Sequence, residues 1–509
     1  MGEGRTKNAV RNIAFNLTNQ ILTLILSFVS RTVFIWGLGA SYLGINGLFS
    51  DVLGLLSMAD LGFNTAMVYS FYKPLAENDY LKMAGLITFY KKVYTFIAVG
   101  VSVIGIALVP TLPYLINLET DIPNITLYYL LSLANIVFSY LCVYKTSILS
   151  ADQKNYKITR VSIYVNVIRS IVQIVSIILW KNYTIYLILG CASVLINNIL
   201  ASHIATKEYP FIKRKVELDK KDKRDIFSNI GSVFLYKVSS VFLNATDNLL
   251  ISIMVGTLAV GYYSNYLMLQ NKISLLYTLI FTSLTASIGN LIVKENSKKR
   301  YEIFTCEQSL SFIVCGVVIP GYMLLVNDLI QIWLGKEYVL SISVVIASSL
   351  NMYLACVLQP LWSYREATGL YRKTKWIMVI CAVINLILSV ILGKYIGLAG
   401  ILFASALARL LTYIWYEPQI LFREYFEMSP LNYYLQLVKN FVAILIIICI
   451  ASFFGSLVVV NSVVGWIIKA IIVGSVSFLV VLIIYLNSKG VKILRSKVSC
   501  FFKNSSNYK

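Results

Sequence analysis

Long apolar runs separated by short polar segments fill almost the whole chain. A bilayer core about 30 Å thick is spanned by roughly 20 apolar residues in helical form. On that measure the runs predict fourteen crossings, near residues 12–36, 43–71, 84–109, 125–149, 158–180, 184–205, 226–254, 259–292, 303–326, 342–366, 376–393, 397–416, 439–460 and 465–487. Helix breakers fall at several of these ends: Pro110 and Pro113 after the third, Pro123 before the fourth, Pro418 after the twelfth and Pro430 before the thirteenth. No interval is long enough for a soluble domain. The pattern predicts an all-α polytopic membrane protein.

The longest polar connection, KEYPFIKRKVELDKKDKRD from Lys207 to Asp225, divides six crossings from the rest and reads as a solvated linker beside anionic headgroups. A faint repeat straddles it. A constant offset of 217 residues aligns Asn12–Ile13 with Asn229–Ile230, Gly39 with Gly256 and Gly44 with Gly261, the glycines falling at the outer turn between paired crossings. Parallel repeats of this kind predict two pseudo-symmetric six-helix lobes with a substrate site between them near the midplane. The expected organisation is a first lobe over 1–206, a basic linker over 207–225 and a second lobe over 226–417. An appended helix pair over 418–487 and a tail over 488–509 complete it.

Composition agrees with this class: 58% of residues are hydrophobic and only 13% charged. The net charge of +21 suggests nucleic acid at first sight, but its distribution follows membrane topology instead. Alternate loops hold the clusters around Arg5–Arg11, Lys73–Lys92, Lys145–Arg160, Lys207–Arg224, Lys294–Arg300, Arg365–Lys375 and Lys489–Lys509, whereas the others hold only Lys181, Lys336 and Lys394. Both termini are therefore expected in the cytoplasm. The run Ile13–Trp36 behind Arg5, Lys7 and Arg11 is too long for a signal-peptide core and is interrupted by Arg31, so an uncleaved first helix is expected. The eight cysteines form no disulfide framework, and the single histidine, His203, has no partner set for a metal or a catalytic dyad.

The candidate chemistry lies in charges placed inside apolar runs. Each costs roughly 2.5–3.5 kcal/mol at a bilayer centre, so each is expected at a wet cavity or beside a partner. The cations are Arg31, Arg169, Lys237, Lys272 and Arg409; the acids are Asp51, Asp60 and Asp247. Lys272 is nearest the midplane and has the least scope to snorkel. The cationic excess suits an anion, phosphate above all. The acids are candidates for Na⁺ or H⁺ coupling, Asp247 first. In the first crossing, Asn12, Asn16, Asn19, Gln20, Thr23, Ser27, Ser30 and Arg31 form one helical stripe, consistent with a wet face. Among the 35 tyrosines, most of which suit interfacial belts, Tyr262, Tyr263 and Tyr266 stand with Asn265 at the second outer turn, where sugar stacking is the alternative.

The stretch RTVFIWGLGASYLGINGLFSDVLGLLSMADLGF, with VGYYSNYLMLQNKI and SLTASIGNL, resembles the bacterial oligosaccharide flippases of capsule and O-antigen synthesis. Their superfamily also contains the multidrug and toxin extruders and the peptidoglycan-precursor flippase. The resemblance implies a V-shaped pair of lobes that moves undecaprenyl-pyrophosphate-linked repeat units from the inner to the outer leaflet. It also implies cavity-lining cations on crossings one, two, seven and eight, a role that Arg31, Lys237 and Lys272 match. Crossing two departs from this, carrying Asp51 and Asp60 instead of a cation. The last helix pair would offer a groove for the polyprenyl tail. Implied partners are that lipid-linked glycan, membrane lipids, and a polysaccharide polymerase with glycosyltransferases. No cofactor beyond a coupling Na⁺ or H⁺ is implied. Two other readings stay open: a cation-coupled multidrug extruder, which needs an acidic aromatic cavity, and a membrane-embedded polymerase or ligase. The latter needs reactive groups on a long outer loop, and the segments near 110–124 and 327–341 are short and lack histidine.

Overall fold

The computed structural model describes residues 2–60, 63–117, 122–493 and 495, and among them no strand occurs. The chain divides into two compact units, Met1–Gly261 and Tyr262–Lys509. The first contains α1 (Gly2–Leu38), α2 (Ala40–Leu56), α3 (Phe63–Glu77), α4 (Tyr80–Ala107), the single turn α5 (Leu112–Leu115), α6 (Ile125–Tyr140), α7 (Val143–Ala151), α8 (Tyr156–Trp180), α9 (Tyr183–Glu208) and α10 (Lys220–Met254). α11 (Thr257–Lys294) begins in the first unit and continues into the second. The second contains α12 (Ser297–Leu334), α13 (Ile342–Val357), α14 (Gln359–Thr368), α15 (Tyr371–Ile396), α16 (Leu398–Leu411), α17 (Tyr413–Leu421), α18 (Leu431–Ser456) and α19 (Val463–Tyr485).

Helix ends have local causes. Asp79, Asn182, Asn296 and Ser462 cap α4, α9, α12 and α19, each side chain accepting from a backbone N–H three residues on, at 2.9, 3.2, 3.0 and 3.2 Å. Gly39 and Gly256 carry φ of 89° and 132° at the turns before α2 and α11, a region that side chains disfavour.

Among the described residues, nine helices are long and apolar enough to cross a membrane, or eleven if each of two bent pairs forms one span. The bends were invisible in the apolar pattern. α6 and α7 meet at 47°, where Cys142 takes a φ of 72°, and α13 and α14 meet at 43° just before Pro360. A proline cannot supply the N–H that would carry the helix through. The run near 43–71 is likewise two helices, separated by a 3₁₀ turn at Ser57–Asp60. Pro418 was expected to end a crossing; it lies inside α17 instead, and the break comes earlier at Thr412, with φ −122° and ψ −101°.

The linker is pinned to the first unit rather than merely solvated. Ile212 and Leu218 are 5% and 7% exposed, and Lys82 holds Asp222 at 3.0 Å. Large apolar side chains elsewhere are outward-facing, as Phe96 on α4 and Ile483 on α19 show with 80% and 76% exposure. Such surfaces suit lipid, since outward Leu, Ile and Phe have no aqueous counterpart at that density.

Candidate functional site in the apolar helices

In the first unit, the polar stripe of α1 is spent partly on packing. Asn12 donates to the Gln153 carbonyl at 2.9 Å and accepts from the Tyr156 N–H at 2.6 Å. Asn16 accepts from the Thr159 hydroxyl at 3.2 Å. The inner half of the stripe therefore fastens α1 to the start of α8, because an amide in an apolar setting gains most from a partner helix.

Farther along α1 the character changes. Arg31 and, on α8, Arg169 are both half-buried, and Tyr186 of α9 lies in the field of both. The Arg169 Nε is buried without a hydrogen-bond partner among the described residues. Around Tyr186 stands an aromatic cluster. Phe34 meets Tyr186 edge-on at 5.1 Å, Tyr128 meets Tyr183 at 4.9 Å, and Tyr42 meets Tyr183 at 5.2 Å. Neither the cluster nor its link to the two arginines follows from any one stretch of sequence. The three-residue spacing of Tyr183 and Tyr186 was its sole local sign.

The acids divide differently. Asp51 of α2 accepts a hydrogen bond from Asn248 Nδ2 of α10 at 2.5 Å, and Asp247 is half-buried beside it in sequence. Asp60 and Lys237 belong to the backbone of the 3₁₀ turn and of α10, but their side chains lie outside the described residues.

In the second unit, Lys272 of α11 is half-buried, and its ammonium has neither an ion pair nor a hydrogen bond among the described residues. Arg409 of α16 is half-buried, within the field felt by Tyr277, Cys381 and Tyr413. Arg365, counted from sequence among the loop cations, is buried in α14 and donates from Nη1 to Glu417 Oε1 of α17 at 2.6 Å. Glu307 of α12 is 4% exposed, and its Oε2 is buried without a hydrogen-bond partner among the described residues. Sequence reasoning singled out neither Glu307 nor Glu417, each of which sits in a run ranked by its apolar neighbours. Tyr263 and Tyr266 turn inward, Tyr263 lying in the first turns of α11 with 4% exposure and Tyr266 with 0%. The Tyr266 hydroxyl donates to Asn327 at 2.7 Å and accepts from the Leu340 N–H at 2.9 Å, so it is neither a belt residue nor a sugar platform.

One further polar cluster lies at the basic end of the first unit. Lys154 contacts Asp152 and Glu208, each at 2.8 Å, and Lys157 also pairs with Glu208. Burial works against the Lys154 charge, but its bonds to Asp152 and Glu208 outweigh that and hold the ammonium above its ordinary range. Among the described residues, no group of three or more His, Cys, Asp or Glu side chains is placed to hold a metal ion.

A buried cation without a fixed acid can bind a mobile anion, and an arginine beside tyrosine hydroxyls can add directed hydrogen bonds. Residues 9–285 match the family model described as "Polysaccharide biosynthesis protein". The lipid II flippase MurJ, in an inward closed conformation, superposes with a TM-score of 0.66 at 16% identity, covering 94% of this chain and 99% of that one. An inward-facing multidrug resistance MATE family transporter of the MOP superfamily gives a TM-score of 0.59 at 15% identity, covering 79% of this chain and 96% of that one. A mutant of the Vibrio cholerae MATE transporter VcmN gives 0.53 at 12% identity, covering 83% and 99%. None of the curated proteins matches in sequence. The solved relatives are transporters and a flippase rather than enzymes.

Proposed function

Because the chain belongs to the polysaccharide biosynthesis protein family, we propose that it is a flippase for undecaprenyl-pyrophosphate-linked oligosaccharide repeat units. It carries them from the inner to the outer leaflet of a bacterial cytoplasmic membrane, for capsule, O-antigen or another surface polysaccharide. The observation that carries this reading is Lys272, a half-buried ammonium in a long apolar helix with no acid of its own among the described residues. Keeping such a charge unpaired costs free energy that a visiting pyrophosphate would recover. Arg31 and Arg169, both of which act on Tyr186 electrostatically, are further candidates for an anionic head group, as are Arg409 and Lys237. Asp51, Asp60 and Asp247 are the candidates for coupling Na⁺ or H⁺.

Fourteen crossings follow if α2 with α3, α10 and α11 are counted beside the nine long helices and the two bent pairs. Both termini then lie in the cytoplasm, as the basic loops require. The outward apolar surface of α18 and α19 would shelter the polyprenyl tail, which never needs to leave hydrocarbon. Glycosyltransferases would act before this step and a polymerase after it.

The test is charge reversal. Lys272→Glu and Arg31→Glu are each expected to abolish surface polysaccharide and to raise lipid-linked glycan in the inner leaflet. Normal export by both would overturn the anion reading. A multidrug extruder remains the second reading, favoured by the likeness to MATE folds. Saturable binding of a fluorescent drug cation, unaffected by lipid-linked glycan, would decide for it.

A further inference from the structure

At the basic end of the first unit, a cavity of about 280 Å³ opens between α3 and the end of α7, lined by Tyr72, Leu75, Ala76, Ala151, Asp152 and Gln153. This is just below the roughly 300–1,000 Å³ of pockets that hold drug-sized ligands, with room for a sugar ring rather than a whole oligosaccharide. Three of its groups are prepared for use. The Asp152 carboxylate is oriented through one oxygen only: Oδ2 accepts from the Tyr209 hydroxyl at 2.5 Å and from the Lys154 ammonium at 2.8 Å. Its Oδ1 has no partner among the described residues and remains an acceptor. The Gln153 backbone is fixed in the left-handed region at φ 57°, its N–H donating to the Ser150 carbonyl at 3.1 Å and its carbonyl accepting from Asn12 at 2.9 Å. That leaves its side-chain amide, a donor and an acceptor, unengaged among the described residues. The third group is Tyr72, half exposed, whose ring meets Tyr69 edge-on at 5.9 Å.

The charge balance narrows the ligand. Asp152, the one charge in the lining, is paired with Lys154 in a cluster that also holds Glu208 and Lys157, so it brings no unbalanced charge to the wall. An anion or a cation would gain little there. A neutral ring with adjacent hydroxyls would gain more: a carboxylate oxygen and an amide accept and donate to neighbouring hydroxyls, while a tyrosine face covers the apolar C–H side.

We propose that this cavity docks one sugar ring of the lipid-linked head group at the cytoplasmic face, before the pyrophosphate reaches the buried cations. This rests on the flippase reading and locates the sugar end of the same substrate. It gives a role to the polar groups held at the basic ends of α3 and α7.

The test uses the full-length protein in cells that make the lipid-linked glycan, so no sugar need be chosen beforehand. A photoreactive benzoylphenylalanine at position 76 is expected to capture an adduct whose mass includes sugar residues. The same probe at position 114, on an exposed tyrosine away from the cavity, is expected to capture none. A phospholipid adduct alone, or no adduct, at position 76 overturns the proposal. Ala76→Trp fills the cavity and is expected to lower export about tenfold at limiting substrate. Tyr72→Phe, which keeps the ring and removes one hydroxyl, is expected to lower it about two- to threefold. Both variants are first checked for monodisperse elution in detergent. Full export by a monodisperse Ala76→Trp protein also overturns the proposal. A sugar adduct at position 76 that persists in Lys272→Glu, while export is lost, supports docking before translocation. Loss of the adduct with export intact sinks the docking site and leaves the flippase reading standing.

Discussion

Gly44 of α2 and Gly261 of α11 pack backbone against backbone: a Cβ placed on Gly44 would lie 2.0 Å from the Thr257 carbonyl oxygen, and one on Gly261 would lie 2.3 Å from that of Ala40. These are the two positions that the 217-residue offset aligns, and the turn glycines that accompany them, Gly39 and Gly256, share a positive φ. The offset thus marks places where the chain needs the same permissive residue twice.

Either glycine replaced by alanine must force the two helices apart, because the obstacle is backbone and cannot rotate away. Gly44→Ala and Gly261→Ala are each expected to destabilise by about 1–3 kcal/mol, the usual cost of overpacking. The double variant should cost less than the sum, since one displacement relieves both clashes. Gly54→Ala, on the same helix with nothing within 4 Å of its Cβ position, should instead be neutral or stabilising. Thermal unfolding in detergent, followed by loss of the monodisperse peak, measures all four. Equal melting of Gly44→Ala and Gly54→Ala would contradict the packing argument.

The buried pair Arg365–Glu417 ties α14 to α17 at 2.6 Å. Removing one partner strands a charge, so Glu417→Ala is expected to cost about 3–5 kcal/mol. Replacing both by apolar residues, Arg365→Met with Glu417→Leu, should recover most of that loss. A double variant no more stable than Glu417→Ala would show that the cost lies in shape rather than charge.

Much of this architecture was legible from sequence because span length and apolar content are local properties. What stayed hidden depends on residues far apart. Arg365 looked like a loop cation because its neutralising acid, Glu417, lies 52 residues away and within another apolar run. The α1 stripe looked wet because its partners, Tyr156 and Thr159, are more than 140 residues distant. Bends at Cys142 and before Pro360 escaped because hydropathy continues unbroken through a kink. Of the candidate charges, Arg31 and Arg169 both act electrostatically on Tyr186, a link that nothing in their local sequence reveals.

Asp51 permits a separation of structural from coupling roles. Asn248→Leu removes its hydrogen-bond donor and is expected to destabilise by about 1–3 kcal/mol. Asp51→Asn keeps an amide-compatible partner for Asn248 and should melt within about 1 kcal/mol of the parent. Transport driven by an imposed Na⁺ or H⁺ gradient then reads the second role. If Asp51 carries the coupling ion, Asp51→Asn loses gradient dependence while staying folded. Unchanged gradient dependence removes Asp51 from the coupling candidates.

Transport of a pyrophosphate head outwards moves negative charge down an inside-negative potential. Each charge gains about 2.3 kcal/mol per 100 mV, so two charges gain about 4–5 kcal/mol if no ion compensates. That is enough to drive the step alone, and export should therefore slow when the potential is collapsed at constant pH. The measurement is outer-leaflet glycan appearance in vesicles clamped with potassium and an ionophore at several potentials. A cation carried in the same direction would cancel the dependence; one carried in the opposite direction would increase it. Lys272 stays with the protein, so a neutral Lys272→Gln variant that still transports should keep the slope against potential and lose rate. A rate indifferent to potential in the parent protein would mean that the head group crosses with its charge balanced.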